Sequence, residues 1–271
     1  MFNVSAIIVT YKRKKKLKDA INSVLKQSFK PKELIIVNNN NYKINLQKKI
    51  NKINIKVINC FKNFKSANGR NIGANFATGK YLAFLDDDDT WDRTYLNDVK
   101  KLYNKSKSEV YVSSLYYHNK KNLIYKKFEK KSFKDVLSRL FYINPGFVSS
   151  NIIIKKEIFE KVNGYDENSI PAEDRVLLLE LLLIKAKISA SSAKVYYRLN
   201  PKKKSLSTNY YEASKGHSYI LKKYKKVINF ENAFFIRYKI HRANFETKKN
   251  IFRYFNLTFA LLNLCVFKLI N

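Results

Sequence analysis

Leu85-Asp86-Asp87-Asp88-Asp89-Thr90-Trp91 follows the apolar run Lys80-Tyr81-Leu82-Ala83-Phe84, which reads as a buried strand. Four adjacent carboxylates after such a strand repel one another unless positive charge lies among them. Hard oxygen donors suit Mg²⁺ or Mn²⁺, and a cation carrying a polyphosphate meets that need. In open α/β sheets, ligands gather at the carboxyl ends of strands, where this cluster belongs. The alternative is a solvated acidic turn opening a helix, with Asp as N-cap and Trp91 in the core.

Working outward, strand and helix signals alternate through the first hundred residues. Val4 to Thr10 is a β-branched strand, and Leu17 to Gln27 has helical spacing. Glu33 to Val37, Ile53 to Ile58 and Tyr81 to Leu85 are further strands, and Asn68 to Ala77 suits a helix. The alternation predicts an α/β fold with a mostly parallel, doubly wound sheet flanked by helices. Val110 to Tyr117 and Phe147 to Ile154 read as strands around a helix at Phe133 to Phe141, and Glu157 to Val162 as a short helix. The helix from Pro171-Ala172-Glu173-Asp174 through Ile184 is apolar almost all round and should be buried. Lys194 to Arg198 is a last strand before the turn at Asn200-Pro201. From Tyr210 onward the chain is basic, aromatic and helical. Phe255 to Ile270 is apolar but short for a membrane span, so it either packs on the protein or lies in a membrane interface.

Composition narrows the class. The 271 residues support one main core with an appendage, and 45% hydrophobic content argues against disorder. A formal charge of +33 attracts polyanions such as nucleic acid, anionic lipid or a phosphate-bearing substrate. Lysine far outnumbers arginine, a bias of background composition, so a nucleic-acid partner is not expected. Cys60 and Cys265 lack metal-ligand spacing, and His118, His217 and His241 are scattered. The cysteine usage and a start without a basic leader point to the cytoplasm.

Several pieces fit one order. Val4 to Arg13, Ser23 to Ser28 and Glu33 to Val37 resemble the opening of family 2 glycosyltransferases of the GT-A (Rossmann-like nucleotide-diphospho-sugar transferase) fold. Asn68-Gly69-Arg70-Asn71-Ile72-Gly73 and Ala77-Thr78-Gly79 are similar to that family's lead into its Asp-x-Asp strand. Ser149-Ser150-Asn151, Gly164-Tyr165-Asp166-Glu167 and Glu173-Asp174 match its acceptor half. The resemblance implies a bacterial, inverting, metal-dependent hexosyl- or N-acetylhexosaminyltransferase using a nucleotide-sugar donor, UDP-sugar foremost. The acceptor would be a glycan or glycolipid: lipooligosaccharide, capsule or a lipid-linked chain. Residues 1–205 would form the GT-A domain, with 1–105 the nucleotide-sugar half and 106–205 the acceptor half. Residues 206–271 would be a basic helical extension holding the protein at the inner face of the cytoplasmic membrane.

By the same resemblance, Asp88 and Asp86 would hold Mn²⁺ or Mg²⁺. Thr10, Tyr11, Arg13, Asn38, Arg70, Asp86 and Asp87 would border the donor, and Asp174 would be the catalytic base. Asn38 stands where many relatives carry an aspartate, and no histidine follows the last strand. Trp91 and Glu173 are acceptor-side candidates. In isolation, Arg70 also reads as a solvated helix residue, and Glu173-Asp174 as a stabilised helix N-terminus. A basic nucleic-acid-binding protein, a nucleotidyltransferase on a related fold and an inactive assembly partner are the competing readings.

Overall fold

The computed structural model describes residues 1–119, 122–128, 133–142, 144–197, 210–247 and 252–270. Arg198, the turn at Asn200-Pro201 and the expected boundary at 205/206 lie outside them. Two compact units are present. One comprises Met1–Lys130, Gly146–Tyr165 and Leu183–Leu199, the other Lys131–Pro145, Asp166–Leu182 and Asn200–Asn271.

In chain order the elements are β1 (Val4–Thr10), α1 (Lys14–Leu25), β2 (Glu33–Asn38), β3 (Lys49–Ile50), β4 (Ile53–Asn59) and α2 (Lys65–Phe76). Then come β5 (Tyr81–Asp86), β6 (Thr90–Trp91), α3 (Tyr95–Ser106), β7 (Val110–Asn119), β8 (Asn122–Lys126) and α4 (Phe133–Arg139). A 3₁₀ turn at Ser149–Asn151 leads to β9 (Ile152–Lys155), α5 (Lys156–Lys161), α6 (Glu173–Leu183) and β10 (Ile188–Tyr196). Helices α7 (Tyr210–Lys223), α8 (Phe230–Thr247) and α9 (Phe252–Ile270) complete the described chain.

The sheet belongs to the first unit and runs β3-β4-β2-β1-β5-β9-β7-β10-β6, with β8 paired to β7. Strands β4, β2, β1, β5, β7 and β10 share one direction, because β9 runs antiparallel to both β5 and β7. The expected mostly parallel α/β sheet is therefore present. Continuous β-branched and aliphatic runs fill β1, β2 and β5 because both faces of these strands are covered. Leu17, Ala20, Val24 and Leu25 of α1 point into that core.

Strands β2 and β4 lie on one side of β1, and β5 lies on the other. The chain thus reverses its direction of travel at β1/β5, and a crevice opens at the carboxyl ends of those strands. Their register aligns Val9 with Asp86, so Thr10 and Asp87 emerge side by side.

The expected strand at Phe147–Ile154 is half a turn. Asn151 donates to the carbonyls of Ser113 (2.5 Å) and Gly146 (2.7 Å) and accepts from Val148 N (3.0 Å). Those side-chain bonds replace ladder bonds and delay the strand to Ile152. Helix α3 and the short strands β3, β6 and β8 were not predicted, and β10 begins earlier than the predicted Lys194.

The second unit is helical. Val176, Leu177, Leu178, Leu179 and Leu181 bury α6, as its all-round apolar sequence predicted. Asn232 of α8 donates to Leu137 O (2.9 Å) and accepts from Phe141 N (3.1 Å), tying α8 to the end of α4. Helix α9 packs on α8, with Phe259 stacked on His241 at 5.3 Å. Among the described residues no helix is long and apolar enough to cross a membrane.

One buried polar knot closes the β1–β2–β5 corner. Glu33 Oε1 accepts from Ser5 Oγ (2.6 Å), Thr78 N (2.7 Å) and Thr78 Oγ1 (2.8 Å), while Gly79 N donates to Ser5 Oγ (2.8 Å). A Cβ at residue 79 would sit 2.6 Å from Ser5 N, so glycine is required there. Burial alone would raise the Glu33 pKa, but these donors outweigh it and hold the carboxyl below its ordinary value. The resulting stability is present above the unfolded-state pKa and is lost as pH falls through the lower folded-state value. Glu33→Gln should lower unfolding free energy at neutral pH by about 1–3 kcal/mol. In urea melts that difference should shrink as pH drops below about 4.

Candidate active site

The acidic turn supplies much of its own counter-charge. Asp89 N donates to Asp86 O (3.1 Å), closing the turn after β5. Asp87 points inward: its Oδ2 accepts from Thr10 Oγ1 (2.8 Å) and Tyr11 N (3.3 Å), its Oδ1 from the Arg13 guanidinium (2.9 Å). The same Arg13 nitrogen lies 2.9 Å from Asp88 Oδ2, and Lys16 Nζ lies 3.5 Å from that oxygen. Arg70 binds Asp86 Oδ1 at 2.5 Å. Burial raises the Asp87 carboxyl above its usual range, although Thr10 and Arg13 pull the other way. Arg13 is held above its ordinary value; burial opposes this, but Asp88 and Asp87 prevail.

The fourth acid has a different partner. Ser150 Oγ donates to Asp89 Oδ2 (2.5 Å) and accepts from Asp86 N (3.0 Å), while Ser150 O accepts from Trp91 Nε1 (2.9 Å). Trp91 is buried and stacks on Tyr95 at 4.6 Å, and it also lines a cleft with Asp19, Ser23 and Arg93. The acidic turn does not cap a helix, as the alternative reading had it: Trp91 lies in β6, and α3 starts only at Tyr95.

Close packing of α2 on β1 delivers Arg70. A Cβ at residue 69 would lie 2.6 Å from Val9 Cγ1, and one at residue 73 would lie 2.4 Å from Ile7 Cγ2. Only glycine permits that approach. Arg70 is buried beside the Tyr165 ring, 5.2 Å from its centre, rather than solvated. Asn71 fixes that tyrosine by exchanging two 2.9 Å bonds with the Tyr165 backbone.

Asn38 ends β2 fully buried. Its amide donates to Tyr42 O (2.6 Å) and Asn59 Oδ1 (2.8 Å), and its oxygen accepts from Asn40 N and Nδ2. It therefore braces the loop after β2 in this structure. Thr10, Tyr11, Arg13, Arg70, Asp86, Asp87 and Asp88 come together at the β1/β5 crevice, with Tyr11 39% exposed. Glu173 and Asp174 open α6 in the second unit, where the first turn of a helix favours negative charge.

Lys16 and Ser150 were missed as site residues. Lys16 was hidden in a lysine run, and Ser150 lay in a quoted motif whose role only the folded turn reveals.

Among the described residues no three His, Cys, Asp or Glu side chains converge as metal ligands. Asp86 and Asp88 remain the open carboxylates, with side chains 34% and 17% exposed. One or two carboxylates suit a small hard cation that keeps water and takes its other ligands from a diphosphate, so the donor set fits such an ion.

The family model described as Glycosyl transferase family 2 matches residues 5–162. The chain belongs to glycosyl transferase family 2. This family 2 chain is 31% identical over 225 residues to UDP-Glc:alpha-D-GlcNAc-diphosphoundecaprenol beta-1,3-glucosyltransferase WfaP of Escherichia coli, covering 81% of this chain and 85% of WfaP. It is 26% identical over 209 residues to the cholesterol galactosyltransferase of Borreliella burgdorferi, covering 69% of this chain. The chain spans 57% of that enzyme's length and 61% of an uncharacterized glycosyltransferase of Methanocaldococcus jannaschii. The structure of Staphylococcus aureus TarS 1-349 in complex with UDP-GlcNAc aligns with a TM-score of 0.63 at 18% identity, covering 98% of this chain and 80% of that one. The fold of this family 2 protein is therefore GT-A.

Two neighbouring acids should separate experimentally. Asp87→Ala removes the buried acceptor of Thr10 Oγ1 and Tyr11 N while Arg13 keeps Asp88, so thermal unfolding should reveal a loss of about 1–3 kcal/mol. Asp88→Ala removes a partly open carboxylate and should change stability by less than about 1 kcal/mol.

Proposed function

We propose that this family 2 protein is an inverting transferase that moves a hexosyl or N-acetylhexosaminyl group from a UDP-sugar to a growing surface glycan. Lipooligosaccharide, capsule and lipid-linked chains are the acceptors considered. The observation that carries this reading is the pair of open carboxylates, Asp86 and Asp88, set beside Arg13, Lys16 and Arg70 at the switch point of the sheet. Mixed charge of that kind suits a metal-bound diphosphate better than a bare anion or a bare cation. The WfaP name specifies a UDP-glucose donor and a diphosphoundecaprenol-linked acceptor, which supports the same substrate classes here.

Asp86 and Asp88 would hold Mn²⁺ or Mg²⁺, which offsets negative charge on a departing nucleoside diphosphate. Thr10 and Tyr11 would border the nucleotide. Arg13 and Arg70, now bound to the turn, would shift part of their donor capacity to phosphate oxygens. Asp174 would take the proton from the acceptor hydroxyl as its oxygen bonds to the anomeric carbon. The bond from that carbon to the diphosphate breaks in the same displacement, and its electron pair leaves with the diphosphate. Glu173 and Trp91 would shape the acceptor side. The domain division at 205/206 belongs to this reading.

Two experiments test it. Nucleotide-sugar hydrolysis should require Mn²⁺ or Mg²⁺. Asp88→Ala should weaken donor binding, whereas Asp174→Asn should keep binding and lose transfer by about 10²-fold or more; normal transfer by Asp174→Asn would refute the base assignment.

Membrane contact is the second part of the proposal. Leu257, Phe259, Leu261, Leu262 and Leu269 of α9 are exposed, and the chain carries +33. That combination favours an anionic bilayer surface. In vesicle flotation the protein should rise with phosphatidylglycerol vesicles and much less with phosphatidylcholine; equally weak binding to both would defeat the membrane assignment.

A further inference from the structure

The helical unit gathers positive charge that the reaction above does not use. Arg175 follows Asp174 in the first turn of α6, Lys239 lies on α8 and His217 on α7. The Arg175 guanidinium and the Lys239 ammonium both donate to one oxygen, the carbonyl of Phe141, the latter at 3.2 Å. His217 is buried with Nδ1 2.6 Å from Ala213 O, an arrangement that places its proton on Nδ1.

Among the described residues neither Arg175 nor Lys239 is ion-paired, and Asp174 is the single acid whose charge acts on any of the three. Burial, then the charge of Arg175, pushes Lys239 down to about 7. Burial, followed by Lys239 and Arg175, pushes His217 down to about 4. Arg175 is also lowered, by burial, with Asp174 opposing. One neutral carbonyl leaves most of the donor capacity of the Arg175 guanidinium and the Lys239 nitrogen unspent, because it offers only a partial charge and two lone pairs. A helix first turn adds positive potential at the same end of α6.

We infer that Arg175 and Lys239, backed by His217 and the Phe141 turn, seat a phosphate group carried by the acceptor. A phosphate supplies several anionic oxygens, enough for the guanidinium fork and the ammonium together. The inference rests on the transferase reading, because a phosphate seated on Arg175 lies one residue along α6 from Asp174, the proposed base. It adds a property to that reading: the acceptor is an anionic phosphoester, recognised by the helical unit. Binding also restores the charge on Lys239, so the anion and a proton arrive together.

Calorimetry on the full chain at pH 7.5, in two buffers of different ionisation heat, tests this. The probes are inorganic pyrophosphate, for the free ion, and decyl diphosphate, for the lipid-linked form. Both should bind, and the parent should take up a larger fraction of a proton on binding than Lys239→Met, because burial and Arg175 hold Lys239 below its ordinary value. Lys239→Met should bind both probes about tenfold more weakly and retain UDP affinity. Arg175→Lys, which keeps a charge while losing the fork, should weaken binding and keep the proton uptake. Equal affinity of the parent and folded Lys239→Met for the probes overturns the proposal, as does failure of decyl diphosphate to bind. No turnover is needed, so loss of the transferase reading would appear separately, as absent donor hydrolysis with the proton-linked binding intact.

Discussion

The bond set around Asp87 holds the site together. A buried carboxylate at the end of β5 receives the hydroxyl, the backbone and the guanidinium that follow β1, so two parallel strands are joined where their backbone ladder ends. The join also orders the charges around it. Arg13 is shared between Asp87 and Asp88, and that sharing keeps the neighbouring acid directed along the crevice. Ser150 performs the equivalent task for Asp89 from the 3₁₀ turn before β9. Two of the four acids thus brace the turn from inside, leaving Asp86 and Asp88 as the more open pair.

This division explains how four adjacent aspartates are tolerated in a folded chain. Repulsion among them is offset by Arg13, Lys16 and Arg70, all on elements that the sheet topology brings to one edge. The glycines at 69 and 73 matter for that reason: they lower α2 onto β1 so that a buried arginine reaches the turn. The same cations hold the acids at rest and, on the proposed reading, would offer donors to an arriving diphosphate. Binding would then exchange partners within an existing charge array, which needs less reorganisation than assembling one.

Much of the fold was legible because β1, β2 and β5 are buried strands whose apolar runs carry their own signal, while β4 buries the β-branched Ile53 and Ile55 in alternation with exposed residues. Helix α6 was equally plain from its leucines. The short strands β3, β6 and β8 were not, since short pairings are set by their partners more than by local sequence. Helix α3 carried a signal of the same kind, since Tyr95, Leu96, Val99, Leu102 and Tyr103 keep helical spacing, and it was nonetheless missed. At the crevice, Thr10, Arg13, Arg70 and the acids, which the family resemblance singled out, lie together in the fold. Their internal division was hidden: nothing in four identical residues tells which pair faces inward. Ser150 acts on Asp89 across 61 positions, a distance at which sequence spacing carries no information. Asn38 teaches the same lesson from the other side, as its amide is occupied by the loop it braces.

The central claim is that the open carboxylates bind a nucleoside diphosphate through a divalent cation. Titration of UDP into the folded protein, with Mn²⁺ present and then removed by chelator, tests this most directly. The account predicts that Mn²⁺ tightens UDP binding about tenfold or more and that Asp88→Ala abolishes this metal linkage. UDP affinity indifferent to Mn²⁺ and Mg²⁺, or a linkage surviving Asp88→Ala, would contradict it.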